Sequence, residues 1–145
     1  MNTPTDPLPF FETAFWRVSL HRNQTYLGRS VVVLKRPCGT LGDVREEEMS
    51  DFLSLVRKVE RGYRVSLGAT MFNWSCSMNF AYRNTPPDPQ VHWHVQPRYD
   101  HSVSFDGAMY NDPNFGDRAL STNTPIPDEA MAALEIALKS ALSND

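Results

Sequence analysis

The stretch QVHWHVQPRY, residues 90–99, sets His92, His94 and Gln96 at alternate positions. Side chains on a β-strand alternate between its two faces. The three polar groups therefore share one face, and Val91, Trp93 and Val95 share the other and can pack under helices. A polar face of this kind is either bathed in solvent or the floor of a site. Three readings compete: a solvent-exposed strand face without chemistry, a metal site, and nucleophilic attack at phosphorus.

A His-x-His strand can bind zinc, iron or manganese, as in cupin barrels. Such a site needs further ligands, and a cupin-like pattern wants a glutamate shortly after the second histidine. Arg98, Tyr99 and Asp100 stand there instead, and an arginine beside a divalent cation is electrostatically unfavourable. His101 and Cys76 are the remaining conceivable ligands. For phosphorus chemistry, a neutral imidazole attacks a phosphoryl group and forms a covalent phosphoramidate, which splits one hard displacement into two easier ones. It needs a neighbour that orients it and donors for the phosphate oxygens. His94 sits centrally, with His92 and Gln96 on either side of it along the same face.

The elements that must position these groups can be read from the rest of the chain. Residues 13–20 and the run RSVVVLKRP, closed by Pro37, have the β-branched and aromatic content of strands. Met49, Phe52, Leu53, Val56 and Val59 recur at helical steps. Glu46, Glu47 and Glu48 stand in that helix's first turn, where the dipole favours acids, and are expected to be solvated. Gly68 closes the segment. Phe72, Trp74, Cys76 and Met78 alternate in the next strand, and RNTPPDPQ is a proline-rich loop joining it to the strand at 91–97. SVSF suggests an edge strand, DGAMYNDPNFGDRAL reads as irregular, and Pro127 opens a last helix. The expected fold is α+β, an antiparallel sheet of about five strands with two main helices packed mainly on one face. The 145 residues read as a single domain: an extended arm over 1–12, a core over 13–99 and a C-terminal extension over 100–145 that includes the final helix.

Composition narrows the function further. A formal net charge of -3 offers no strongly basic surface for nucleic acid. No apolar stretch reaches membrane-spanning length, and the first ten residues lack the basic start of a signal peptide. Cys38 and Cys76 form no metal-type spacing and read as free thiols in a reducing cytoplasm.

HWHVQPR resembles the histidine-triad signature, His-φ-His-φ-His-φ-φ with φ apolar, with glutamine in place of the third histidine. LGRSVVVLKRPCGTLGDVREEEMSDFLSLVRKV resembles that family's strand, turn and acidic-start helix, and ATMFNWSCSMN its penultimate core strand, so the match covers about residues 14–99. The resemblance implies attack on an α-phosphate, a covalent nucleotidyl-histidine, and transfer to water or another acceptor. It makes His94 the nucleophile, His92 a supporting histidine tied to backbone and to its neighbour, and Gln96 the phosphate-contacting group. The glutamine variant is similar to galactose-1-phosphate uridylyltransferase and to some diadenosine tetraphosphate phosphorylases.

The chain departs from the family in two places. The usual Pro-Gly-His turn is here Leu27-Gly28-Arg29, and TPPDPQ replaces a Gly-Gln-Ser type of stretch. Substrate contacts are therefore expected from His21, Asn79, Gln90 and Arg98, with Arg83 as a further cation for phosphate, while Arg98 reads equally as a structural ion-pair partner. No metal and no tightly bound cofactor are expected, apart from Mg²⁺ arriving with substrate. The family's pairing through a shared sheet edge and helix implies a homodimer. Glutamine can hold a phosphoryl oxygen but cannot lend a proton, which favours dinucleoside polyphosphates over phosphoramidates as substrates. The alternative from another class is a nucleotide-binding module with little or no turnover.

Overall fold

The computed structural model describes residues 8–144. Strands β1 (Phe11–Glu12), β2 (Trp16–Leu20), β3 (Ser30–Leu34), β4 (Met71–Ser75) and β5 (His92–Arg98) form one sheet in the order β1-β2-β3-β5-β4. Every neighbouring pair is antiparallel. Helix α1 (Glu46–Leu67) connects β3 to β4, and α2 (Asp128–Ser143) follows the last strand. The architecture is the expected α+β arrangement. No helix among the described residues is long and apolar enough to cross a membrane.

One face of the sheet makes the core. Trp16, Val18 and Leu20 of β2, Val32 and Leu34 of β3 and Val95 of β5 are buried against Phe52, Leu55, Val59 and Tyr63 of α1. Phe52 is the aromatic hub, 4.9 Å from both Trp16 and Trp93 and edge-on to Trp74 at 5.7 Å. The Trp16 indole N–H donates to the Glu48 carbonyl at 2.8 Å, which fixes the start of α1 on the sheet. At the other end of α1, Gly68 takes the left-handed conformation (φ 76°) that ends many helices. Helix α2 buries Leu134, Leu138 and Leu142 and passes close to α1 at Gly62, where a Cβ would stand 3.0 Å from Leu142 Cδ1.

Several expectations are corrected. The arm over 1–12 lies partly outside the described residues, and its end is not an arm: Phe10 is buried and Phe11–Glu12 pairs with β2. Met49 and Leu53 face outward, and the buried stripe of α1 runs instead through Phe52, Leu55, Val59, Tyr63 and Leu67. Of the acidic triplet, Glu48 is buried rather than solvated. The Arg36 guanidinium grips it at 2.8 and 3.2 Å and holds its carboxyl below the usual range. The strand through Phe72 stops at Ser75, and the chain turns away before Cys76 and Met78.

The C-terminal extension holds a hairpin of its own. β6 (Val103–Phe105) pairs with β7 (Ala108–Tyr110), apart from the main sheet, through Asp106 and Gly107, both with positive φ. Asp-Gly between two short strands is a strong turn signal, and it overrides the irregular reading of this segment. The chain beyond it straps across the 23–26 turn. Asn23 Nδ2 donates to the Thr122 carbonyl at 2.7 Å, and the Gln24 N–H to the Thr124 carbonyl at 2.9 Å.

Candidate functional site

The outer face of the sheet carries the histidines. Antiparallel register places residues in rows across the strands, so Ser19, Val31, His94 and Ser75 form one row and Arg17, Val33 and His92 the next. Beyond the Ser19 row, Gln96 pairs with Asn73. Arg29, one residue before the Ser30–Val95 pair, stands beside Gln96 on the same face. A cleft of about 810 Å³ opens over this surface. It exists because β4 ends at Ser75: residues 77–81 swing off the sheet, and Ser77, Met78, Asn79 and Phe80 become one wall. His21 and Arg29 form the opposite side, and His92 and His94 lie on the floor.

His92 is anchored. Its Nδ1 stands 2.8 Å from the Gln90 carbonyl. A carbonyl only accepts, so Nδ1 carries the proton. His94 meets the His92 ring edge-on at 5.2 Å and the His21 ring at 5.8 Å. Burial pushes the His94 pKa down to about 4, assisted by the charge of Arg29 and by His92 and His21. The imidazole is therefore neutral at physiological pH and keeps a lone pair for attack.

Three buried polar atoms on this face have no partner among the described residues: His94 Nδ1, Gln96 Oε1 and Arg29 Nε. Such an atom costs about 1–3 kcal/mol when left unpaired. Three of them at adjoining positions mark a surface built for something other than packing.

The expected site residues divide. His92 and His94 share the cleft floor, and His21 and Asn79 line its sides. Gln96 shares their face and is half-buried, but it is not among the residues that line the cleft. Gln90 lines the cleft, yet its side chain is a bracket: Nε2 donates to the carbonyls of Leu34 (2.8 Å) and Arg36 (2.9 Å), and Oε1 accepts from the Cys38 N–H (3.0 Å). Its amide is committed to the fold, and only its main-chain carbonyl serves the site, through His92. Arg98 is not a cleft residue. It is buried with Asp112 at 2.7 and 3.0 Å, bonded to Asn73 Oδ1 at 2.9 Å and stacked over Tyr26 at 4.8 Å. Arg83 lies over the Phe80 ring at 4.9 Å and does not line the cleft. His101 pairs with Asp100 at 2.6 Å, away from the cleft. Among the described residues, no three of the His, Cys, Asp and Glu side chains are grouped to hold a metal ion.

Arg29 is the cleft residue that the pattern of types missed. Its signal was the Leu27-Gly28-Arg29 departure just before β3, which places a cation one row from His94.

Neither a family model nor a curated protein matches the chain. Solved structures do. A histidine triad protein from Sinorhizobium meliloti 1021 superposes with a TM-score of 0.73 at 16% identity, covering 94% of this chain and 90% of its own. A histidine triad protein from Marinobacter aquaeolei VT8 gives 0.72 at 18% identity, covering 95% and 90%. A hypothetical histidine triad nucleotide-binding protein from Sulfolobus tokodaii strain 7 gives 0.68 at 12% identity, covering 94% and 83%. At these identities the similarity is one of architecture, and on it the chain has the fold of the histidine triad proteins.

Proposed function

We propose that the cleft binds nucleotides and that His94 cleaves them as a covalent nucleophile, making the protein a nucleotide hydrolase or nucleotidyltransferase with dinucleoside polyphosphates as its substrate class. The observation that carries this reading is the His94 imidazole, held neutral on the floor of the cleft beside an anchored His92 and the half-buried Arg29. A His94 ring nitrogen attacks the α-phosphorus. A P–N bond forms, the P–O bond to the departing phosphate breaks, and that oxygen leaves with the electron pair as an anion. Water or another acceptor then attacks the same phosphorus. The P–N bond breaks, its electron pair returns to the imidazole, and the acceptor's proton passes to solvent. At the third position of the motif Gln96 has an amide where histidine would have a proton, which suits a leaving group that departs as phosphate.

The site residues in this reading are His94, His92 and Gln96, with His21 and Asn79 toward the nucleoside. Mg²⁺ arrives, if needed, on the polyphosphate. A homodimer through the exposed edge of β4 and the neighbouring face of α1 belongs to the same reading, as does a cytoplasmic location suited to free Cys38 and Cys76.

The test is to mix the protein with labelled diadenosine polyphosphate, quench at neutral pH and weigh the intact chain. An acid-labile nucleotidyl adduct that disappears in His94→Ala is the expected result. Nucleotide binding with neither adduct nor turnover would identify a binding module instead.

A further inference from the structure

We propose that Arg29 is the phosphate-binding residue of this cleft. The inference rests on the cleft being a nucleotide site and assigns the group that holds the substrate's anionic part. The sequence resemblance gives that task to Gln96, but Arg29 lines the cleft and the half-buried Gln96 is not among its lining residues. Continuing the register past Ser30–Val95 sets the two at neighbouring positions on the outer face.

Four features of Arg29 point to an anion. Among the described residues it makes no ion pair, unlike Arg36 and Arg98, whose carboxylates are bonded to them. Its Nε is buried without a partner. Half-burying a guanidinium without a counter-charge carries a desolvation cost that an anion would offset, and its planar fork matches two phosphate oxygens. Its neighbour on the face is a neutral glutamine rather than a glutamate, which leaves the charge uncancelled.

The fourth feature is a fixed backbone. The Arg29 carbonyl accepts from the His21 N–H and from Gln24 Nε2, both at 2.9 Å, and its own N–H donates to the Tyr26 carbonyl at 3.1 Å. Gln24 is itself buried and accepts from the Gly28 N–H at 2.8 Å. Gly28 makes the turn with φ 91°, and a Cβ there would meet Leu67 Cδ1 at 2.7 Å. The guanidinium therefore starts from a preorganised root one row from His94. There a phosphoryl group under attack could reach both residues. The same charge favours a leaving group that departs as phosphate, because it stabilises the anion without a proton.

Inorganic pyrophosphate is the probe. Calorimetry on the full chain should show binding to wild type, weakened about 10- to 100-fold in Arg29→Gln, the range expected for losing hydrogen bonds to a charged group. Arg29→Lys should fall between them. The His94 ring, followed by NMR, should titrate higher in Arg29→Gln than in wild type, with His21 and His92 still facing it. That shift reports the Arg29 charge beside His94, and the pyrophosphate affinity reports whether that charge holds phosphate. Gln96→Glu leaves Arg29 in place but sets a carboxylate beside it, and should weaken pyrophosphate comparably. This variant carries the test if Arg29→Gln does not fold. Unchanged pyrophosphate affinity in folded Arg29→Gln or Gln96→Glu overturns the proposal, as does a wild type that binds no pyrophosphate at millimolar concentration. Arg29-dependent binding by a protein that forms no His94 adduct sustains this inference and removes only the covalent chemistry. Adduct formation with Arg29-independent binding does the reverse.

Discussion

The ring of His94 stands edge-on to that of His92, with centroids 5.2 Å apart and planes at 76°. His92 is tied by Nδ1 to the Gln90 carbonyl, and Gln90 is tied by its side chain to the backbone at Leu34, Arg36 and Cys38. The neighbour of His94 is thus fixed through the end of β3. Removing the bracket should loosen His92 without touching the cleft's charge. Gln90→Ala is expected to lower kcat by about 10-fold or more while changing KM little, since misplacement of a supporting group acts mainly on the chemical step. Steady-state kinetics on a variant shown to be folded measures the split, and an unaltered kcat would remove the bracket from the account.

The depressed pKa of His94 has two consequences with defined signs. If protonation of His94 governs the acid limb of kcat/KM, that limb should fall near pH 4 rather than near the ordinary histidine value of about 6.5. For folding, the unfolded chain binds this proton more readily than the folded one. The stability contributed by a neutral His94 is therefore present above about pH 6.5 and is lost as pH falls toward 4. Urea unfolding at pH 7 and pH 4.5, compared with His94→Asn, should show the wild type losing more stability. An NMR titration placing His94 at an ordinary value contradicts both.

Under the proposed reading, substrate ranking follows from the groups near His94. Neither the Arg29 guanidinium nor the Gln96 amide can lend a proton at neutral pH. Nucleoside polyphosphates, which leave as anions, should be cleaved ahead of nucleoside phosphoramidates, whose amine must be protonated. General acid catalysis contributes roughly 10²–10⁴-fold, so the difference in kcat/KM should be readily measured. A preference for the phosphoramidate would mean that another group supplies the proton, and His21, 5.8 Å from His94, would be the first to replace.

Arg98 is expected to act on stability alone. Asp112→Ala leaves its buried guanidinium without its carboxylate, and breaking such a pair costs about 3–5 kcal/mol. Thermal unfolding should shift down strongly, while kcat/KM of the fraction still folded at low temperature stays close to wild type. A folded Asp112→Ala with normal stability and failed nucleotide binding would return Arg98 to the site.

The purified protein is expected to carry no stoichiometric transition metal, because His92 and His94 have no grouped third ligand among the described residues. Elemental analysis giving about one zinc, iron or manganese per chain, lost in a His92→Ala/His94→Ala variant, would restore the metal reading.

What could be read from the amino-acid sequence was whatever depends on local periodicity. Alternation along residues 91–97 separates the polar face from the core face because a strand's period of two needs no tertiary information. Gly68 ends α1 by its own conformational freedom; the Asp106-Gly107 turn is equally local, although its segment read as irregular. The identity of each polar group's partner was not local. Glu48 and Arg98 have the composition of surface residues and are buried, because Arg36 and Asp112 reach them from elsewhere in the chain. Gln90 looked like a donor for substrate and is a bracket. Arg29 looked like a family residue gone missing and is a cleft cation with no ion pair among the described residues, its Nε left without a partner. The alternation of Phe72, Trp74, Cys76 and Met78 promised a longer strand, yet β4 leaves the sheet after Ser75, opposite His94, and that departure opens the cleft. Sequence period determined which face the histidines occupy. Which charges are cancelled around them was decided only in the folded chain, because pairing depends on distance across the sheet and not on distance along it.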